Sequence, residues 1–283
     1  MTGRWAVDVP HDRVVVTGGG SGIGRATTLA LADAGVEVHV LGRRAEWLDG
    51  TARLAAEAGA PGRVVPHECD VRDPERVDAA FAAIDAGPGP ATGLVHAAAQ
   101  VSMLPARDIE PAEFAAVVEA TLLAAFTVTR RWALPLLDAG TGGAAVLVTS
   151  SNASMGAPGL AHSSAGKAGT NALVKTLGRE WGPHGITVNT VGPGPFPVEK
   201  SEAMWADERT RTRMFREVPL GRYGRLEEIV GPIVLLLSQG GGFTTGQCLT
   251  VDGGLSLQHW PLPPEEIANG QTVWQPDVAA RRT

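Results

Sequence analysis

Short runs of β-branched residues alternate with Ala-rich amphipathic stretches along most of this chain. The runs are VVV at 14–16, VEVHVL at 36–41, RVVPHECDV at 63–71, GLVHAAA at 93–99, AAVLVTSS at 144–151, GITVNTVGPG at 185–194 and CLTVDGG at 248–254. Strands that are apolar at consecutive positions are buried on both faces, which points to a parallel sheet with helices packed on either side. Helical candidates at 111–137 and 163–181 fill two of the longer gaps. The Gly/Pro-rich stretches at 86–93 and 192–200 read as connections within one unit. The predicted fold is therefore a doubly wound α/β domain of about seven strands over 13–258, with an extension at 1–12 and a tail at 259–283. The tail changes composition, and its Trp260 and Trp274 suit docking onto the body or a neighbouring subunit.

Composition narrows the function. Of the 283 residues, 30 are acidic and 24 basic, a net charge of −6 that repels a phosphate backbone and argues against a nucleic-acid partner. Two cysteines without paired spacing, Cys69 and Cys248, suit a reducing compartment. The longest apolar run, IVLLL, is far short of the ~20 residues a bilayer requires, and no leader-like segment opens the chain. No membrane partner is expected, and a cytoplasmic location is. The chain contains a single tyrosine, Tyr223.

The first strand runs into TGGGSGIG, residues 17–24, and then into the helix-like RATTLALADAG. Glycines at a strand-to-helix turn let backbone N–H groups approach a pyrophosphate, whose charge is favoured at a helix N-terminus. Gly18, Gly22 and Gly24 are the expected contacts, with Ser21 and Ile23 in the same turn. At the end of the second strand, Gly42 stands where an acidic partner for a ribose would be expected, and Arg43 and Arg44 follow at once. A missing carboxylate beside guanidinium groups favours a 2′-phosphate, hence NADP(H) over NAD(H). Asp70, followed by Val71, suits either the adenine amino group or the cap of the next helix. His67, Glu68, Cys69 and Asp70 alternate across a strand and do not converge, so no metal site is expected.

TGGGSGIG, the CDV at 69–71 and above all PLGRYGRLEEIVGPIVLLLSQGGGFTTGQCLTVDGG make residues 13–254 resemble the short-chain dehydrogenase/reductase family. The resemblance implies a seven-stranded Rossmann sheet, a nicotinamide cofactor bound also by Ala97, Pro193 and Gly194, and a homo-oligomer, a tetramer or dimer. It also implies an Asn, Ser, Tyr, Lys tetrad, in which Tyr transfers the substrate proton and Lys binds the ribose. Lys167 matches the lysine. Ser163 stands at the tyrosine position, one helical turn before it. Ser151 matches the serine, with Ser150 the adjacent candidate. Thr121 stands for the asparagine. His96 and three alanines replace the NNAG motif, and Val198 falls where a threonine often touches the nicotinamide amide.

An aliphatic hydroxyl is far less acidic than a phenol, which titrates near pH 10 unperturbed, and it is a ring shorter. A positioned general acid contributes about 10²- to 10⁴-fold in rate, so simple ketone reduction should suffer by that order. The expected function is an atypical NADP(H)-dependent reductase of a small organic molecule, an imine, iminium or conjugated carbonyl, with a role in specialised metabolism. Two alternatives stand beside it: a non-redox lyase, isomerase or cyclase that retains the cofactor, and a non-catalytic nucleotide-binding subunit. The expected substrate pocket holds His96, Ser151, His162, Ser163, Met204 and Trp205, although His162 points about 100° around the helix from Ser163. Arg130 and Arg131 suit either an acidic substrate or solvent.

Overall fold

The computed structural model describes residues 9–257 except 101 and 202–204. Seven strands form one sheet: β1 (Arg13–Thr17), β2 (Glu37–Gly42), β3 (Val64–Glu68), β4 (Gly93–His96), β5 (Gly143–Val148), β6 (Ile186–Pro193) and β7 (Cys248–Val251). Their order is β3-β2-β1-β4-β5-β6-β7, and every neighbouring pair is parallel. This is the doubly wound Rossmann-type sheet expected from the alternating runs.

Alternate residues of each strand serve different faces. Val14, Val16, Val38, Val40 and Val146 pack with Leu31, Leu48, Ile229 and Ile233 from α1 (Gly22–Asp33), α2 (Ala45–Glu57) and a late helix, Leu226–Leu237. Val15, Leu41, Leu94, Leu147 and Val188 pack on the other side with Phe81, Val128, Trp132 and Val174. Those side chains come from α3 (Pro74–Asp85), α5 (Ala124–Ala139) and α7 (Ala161–Trp181), α4 (Pro111–Val118) and α6 (Asn152–Met155) being shorter. Among the described residues the last elements are α8 (Glu208–Glu217), α9 (Leu226–Leu237) and β7. Asp73 caps α3 by accepting from the backbone N–H of Glu75 and Arg76, so helix capping falls to Asp73 rather than Asp70.

Two expectations change. Several strand-like runs overshoot: the ladders stop at Glu68, His96 and Val148, and the residues beyond them lie at the carboxyl edge. The single helix expected at 111–137 is interrupted by a π turn, Glu119–Leu123, between α4 and α5. There the Thr121 hydroxyl donates to the Val117 carbonyl at 2.7 Å, competing with the i→i−4 ladder. Together Pro111–Ala139 are long and apolar enough to cross a bilayer, with an 18-residue window of mean hydropathy 1.5, which the run-length reading missed. Their inner stripe, Val117, Val128, Trp132 and Leu136, is buried in the protein core.

Candidate active site

The strand order reverses between β1 and β4, and connections leaving to opposite faces open a crevice at the carboxyl ends of the strands. A cleft of about 390 Å³ lies there. Its walls come from the ends of six strands: Gly18 and Gly20–Gly24 after β1, Gly42–Arg44 after β2, Asp70–Arg72 after β3, Ala97–Gln100 after β4, Val148–Ser150 after β5 and Pro193–Gly194 after β6. Most of the residues that overshoot the ladders of β3, β4 and β5 thus line it.

The Gly-rich turn is shaped for close approach. Gly18 has φ of +71°, and a Cβ there would meet the Ala98 nitrogen at 2.9 Å. A Cβ on Gly24 would meet the Gly18 carbonyl oxygen at 2.3 Å, so only glycine lets α1 start this near β1. Ser21 makes no capping bond, leaving the start of α1 without a side-chain cap of its own. At the far end, the Arg44 guanidinium lies 3.4 Å from the centre of the Trp47 ring, and Trp47 lines the cleft. Arg72 grips Asp70, with Nη2 donating to Oδ2 at 2.6 Å and Nε to Oδ1 at 3.0 Å. Those hydrogen bonds hold the Asp70 carboxyl below its ordinary range. Trp47 and Arg72 were not singled out by sequence reasoning. The i, i+3 step from Arg44 to Trp47 was the available signal.

At the other end, Lys167 is 5% exposed, and its Nζ donates to the Val148 carbonyl at 2.7 Å. Burial pushes the ammonium pKa down to about 8. Ser163 lies one turn earlier on α7, and both line the cleft. Of the two candidate serines, Ser150 lines the cleft, whereas Ser151 is buried and donates its backbone N–H to the Pro193 carbonyl. Thr121 turns toward α7, where a Cβ on Gly166 would meet its Oγ1 at 2.0 Å. Its neighbour Ala120 faces the cleft. Val198 also lines the cleft, beside Gly22.

Three histidine and aromatic expectations separate from the cleft wall. His96 is buried beneath Ala97, with Nδ1 at 3.0 Å from Thr17 Oγ1 and Nε2 unpartnered. Burial, and then the Lys167 charge, depress its pKa to about 3 and keep the ring neutral. His162 is fully buried: its Nδ1 accepts the Ser163 backbone N–H at 2.9 Å, and its Nε2 lies 2.9 Å from Ser102 Oγ, which donates to Glu113. Trp205 donates to Ser201 Oγ at 2.7 Å and packs edge-on against Tyr223 instead of facing the cleft. Tyr223 donates to the Trp205 carbonyl at 3.2 Å. Met204 lies outside the described residues, as do Trp260 and Trp274 in the tail. Arg131 pairs with Asp85 and Asp78, away from the cleft.

Residues 18–256 match a family model described as enoyl-(acyl carrier protein) reductase. Gluconate 5-dehydrogenase of Gluconobacter oxydans is 32% identical over 245 residues, 87% of this chain and 94% of the relative. A probable 2,4-dienoyl-CoA reductase of Bacillus subtilis is 34% identical over 252 residues, 88% of this chain and 98% of the relative. Among solved structures, a gluconate 5-dehydrogenase from Burkholderia cenocepacia in complex with NADP and tartrate aligns with a TM-score of 0.81 at 28% identity, covering 87% of this chain and 96% of that one.

Proposed function

Because the chain belongs to the short-chain dehydrogenase/reductase family, we propose that it is an NADP(H)-dependent reductase whose substrate is a small conjugated carbonyl or iminium compound. One observation carries the choice of substrate: the cleft side chain one turn before the buried Lys167 is the Ser163 hydroxyl, not a phenol. The dinucleotide fits the residues present. The Gly18–Gly24 turn would seat its diphosphate and Arg43 and Arg44 its 2′-phosphate, with Asp70 and Val71 beside the adenine and Ala97, Pro193 and Gly194 along the nicotinamide half. Bound there, the reduced nicotinamide supplies a hydride to the electron-poor carbon of the substrate.

The chain's own residues then have a modest proton task. A simple ketone becomes an alkoxide that must be protonated as it forms, which asks for a well-matched acid. An iminium becomes a neutral amine and asks for none. A conjugated carbonyl becomes an enolate, whose oxygen needs only hydrogen-bond donors until water protonates a carbon. In this reading the hydroxyls of Ser150 and Ser163 supply those donors, and Lys167 holds ribose hydroxyls and adds positive charge. The similarity to a 2,4-dienoyl-CoA reductase supports the conjugated acceptor, because that relative is named for such a substrate. We also place the protein in the cytoplasm, as a homo-oligomer acting in specialised metabolism.

The test follows absorbance of the reduced cofactor with purified protein, NADPH and matched ketone, cyclic imine and conjugated enone or enoyl thioester substrates. The expected result is turnover of the enone or imine with kcat/KM at least about 10²-fold above the ketone. Equal turnover of the ketone overturns the substrate assignment. Product formed without loss of NADPH would make the protein a non-redox enzyme, and cofactor binding without any product would make it a nucleotide-binding subunit.

A further inference from the structure

The start of α1 is not left to solvent. Glu199, from the segment after β6, reaches across 177 residues of sequence so that its Oε2 accepts the backbone N–H of Gly22 at 2.9 Å. Its Oε1 accepts from Arg25 Nη1 at 2.8 Å. The same Arg25 also donates to the Gly20 carbonyl, and its Nε is buried without a partner. Beside Glu199, Val198 packs against Gly22, where an added Cβ would lie 3.1 Å from Val198 Cγ1. A carboxylate here satisfies two needs of the fold: an otherwise orphaned helix N–H gains an acceptor, and the positive end of the helix dipole gains a negative charge.

We infer that Glu199 occupies the seat of the cofactor diphosphate and thereby sets the affinity for the dinucleotide. The inference rests on the cofactor reading above. Diphosphate and carboxylate both seek the Gly22 N–H and the positive end of α1, and two anions on one helix start repel each other. The carboxylate must therefore leave before the diphosphate settles. Glu199 is well suited to leaving, since its side chain is 45% exposed. The apparent dissociation constant is the intrinsic one divided by the fraction of molecules with Glu199 displaced, so an engaged population of about nine in ten weakens binding about tenfold.

The experiment compares wild type, E199Q and E199A for binding of NADPH by calorimetry, with adenosine 2′-monophosphate as a second probe. The latter carries the 2′-phosphate and adenine but no diphosphate, so it reads the adenosine end alone. Neutralising Glu199 should tighten NADPH about three- to tenfold and leave adenosine 2′-monophosphate unchanged. Thermal unfolding of each variant confirms that the comparison is between folded proteins. NADPH affinity that is equal or weaker in E199Q and E199A overturns the role of Glu199, as does an equal gain for both probes. Absence of NADPH binding in all three proteins overturns the cofactor reading itself, a distinguishable failure.

Discussion

The proposed substrate choice rests on an aliphatic hydroxyl, not a phenol, at Ser163, and the substitution that introduces the ring is informative. Ser163→Tyr should raise ketone reduction by about 10²-fold or more, because Lys167 lies one turn along the same helix to support the new acid. Steady-state kcat/KM on a ketone and an enone measures it, and an unchanged ketone rate would mean that the surrounding site is not assembled for alkoxide protonation. His162 plays a different part from the one its position beside Ser163 suggests. Its ring accepts the backbone N–H of Ser163 within the first turn of α7 and ties that turn to Ser102 and, through it, to Glu113 on α4. His162→Phe keeps a ring of similar size but leaves the Ser163 N–H without its acceptor, while Ser102 still donates to Glu113, so urea denaturation should show a loss of about 1–3 kcal/mol. Ser163 and Lys167 were legible as a pair because i, i+4 spacing fixes a shared helix face. Ser150 and Ser151 were not separable, because they sit where β5 ends and the chain leaves the ladder, and strand alternation no longer decides which one faces inward. The contact of Glu199 was not legible at all, since nothing local in the sequence reports an approach across 177 residues.

Among the elements, the β1 to α1 turn was the most readable, because its glycines are demanded by sterics more than by packing. Gly24→Ala would drive a methyl to 2.3 Å from the Gly18 carbonyl oxygen. The helix must then shift off β1, and NADPH binding should fall below detection in calorimetry while the far-UV circular dichroism of the sheet persists. The α2 start shows the complementary case, where the residue types were evident and their arrangement was not. Arg43 and Arg44 read as a pair of charges in sequence. In the structure Arg44 lies over Trp47, a cation–π contact worth about 0.5–1 kcal/mol at an exposed site. An arginine held this way loses less freedom when it meets a phosphate. Trp47→Ala should therefore weaken NADPH more than NADH, reducing their affinity ratio about three- to fivefold, close to the value of that contact. Equal losses for both cofactors would assign Trp47 to packing alone. The strand ends misjudged by sequence share one cause: small or apolar residues such as Cys69, Ala97 and Thr149 continue past the last ladder positions at Glu68, His96 and Val148, and propensity does not register where a neighbour strand stops.

On the scale of the whole molecule, the two ends of the sheet do different work. The carboxyl ends hold the cleft, and the surface carries apolar patches that suit subunit contacts: Phe114, Leu123 and Phe126 along the long helix, and Leu235, Phe243 and Leu249 near the edge strand β7. Among the described residues β7 is an edge strand, and an apolar strand edge is normally covered, so in the proposed homo-oligomer Leu249→Lys should lower the mass seen in light scattering, and an unchanged mass would place the subunit contact elsewhere. Toward the amino ends of β1 and β2, a partly buried polar cluster reaches across to β3. Arg13 donates to Glu37 at 3.1 Å and lies 2.9 Å from the His39 ring, which in turn faces His67 and Glu37, with Arg63 on the outer side of Glu37. Burial, and then the Arg13 charge, depress the His39 pKa to about 4, and His67 is lowered for the same reasons. In the unfolded chain a histidine titrates near pH 6.5. Below that pH the unfolded state takes up a proton that the folded state refuses, so unfolding gains in free energy until the folded His39 also protonates near pH 4. Stability is accordingly full above about pH 6.5 and falls steadily between pH 6.5 and 4, by about 3 kcal/mol from His39 alone. Urea denaturation at intervals from pH 7.5 to 4.5 measures the slope. His39→Gln, which has no proton to take up, should be less acid-sensitive than wild type while keeping a polar partner for Arg13. An equally steep decline in that variant would place the acid sensitivity elsewhere, in His96 beneath the cleft or in the carboxylates of the surface pairs.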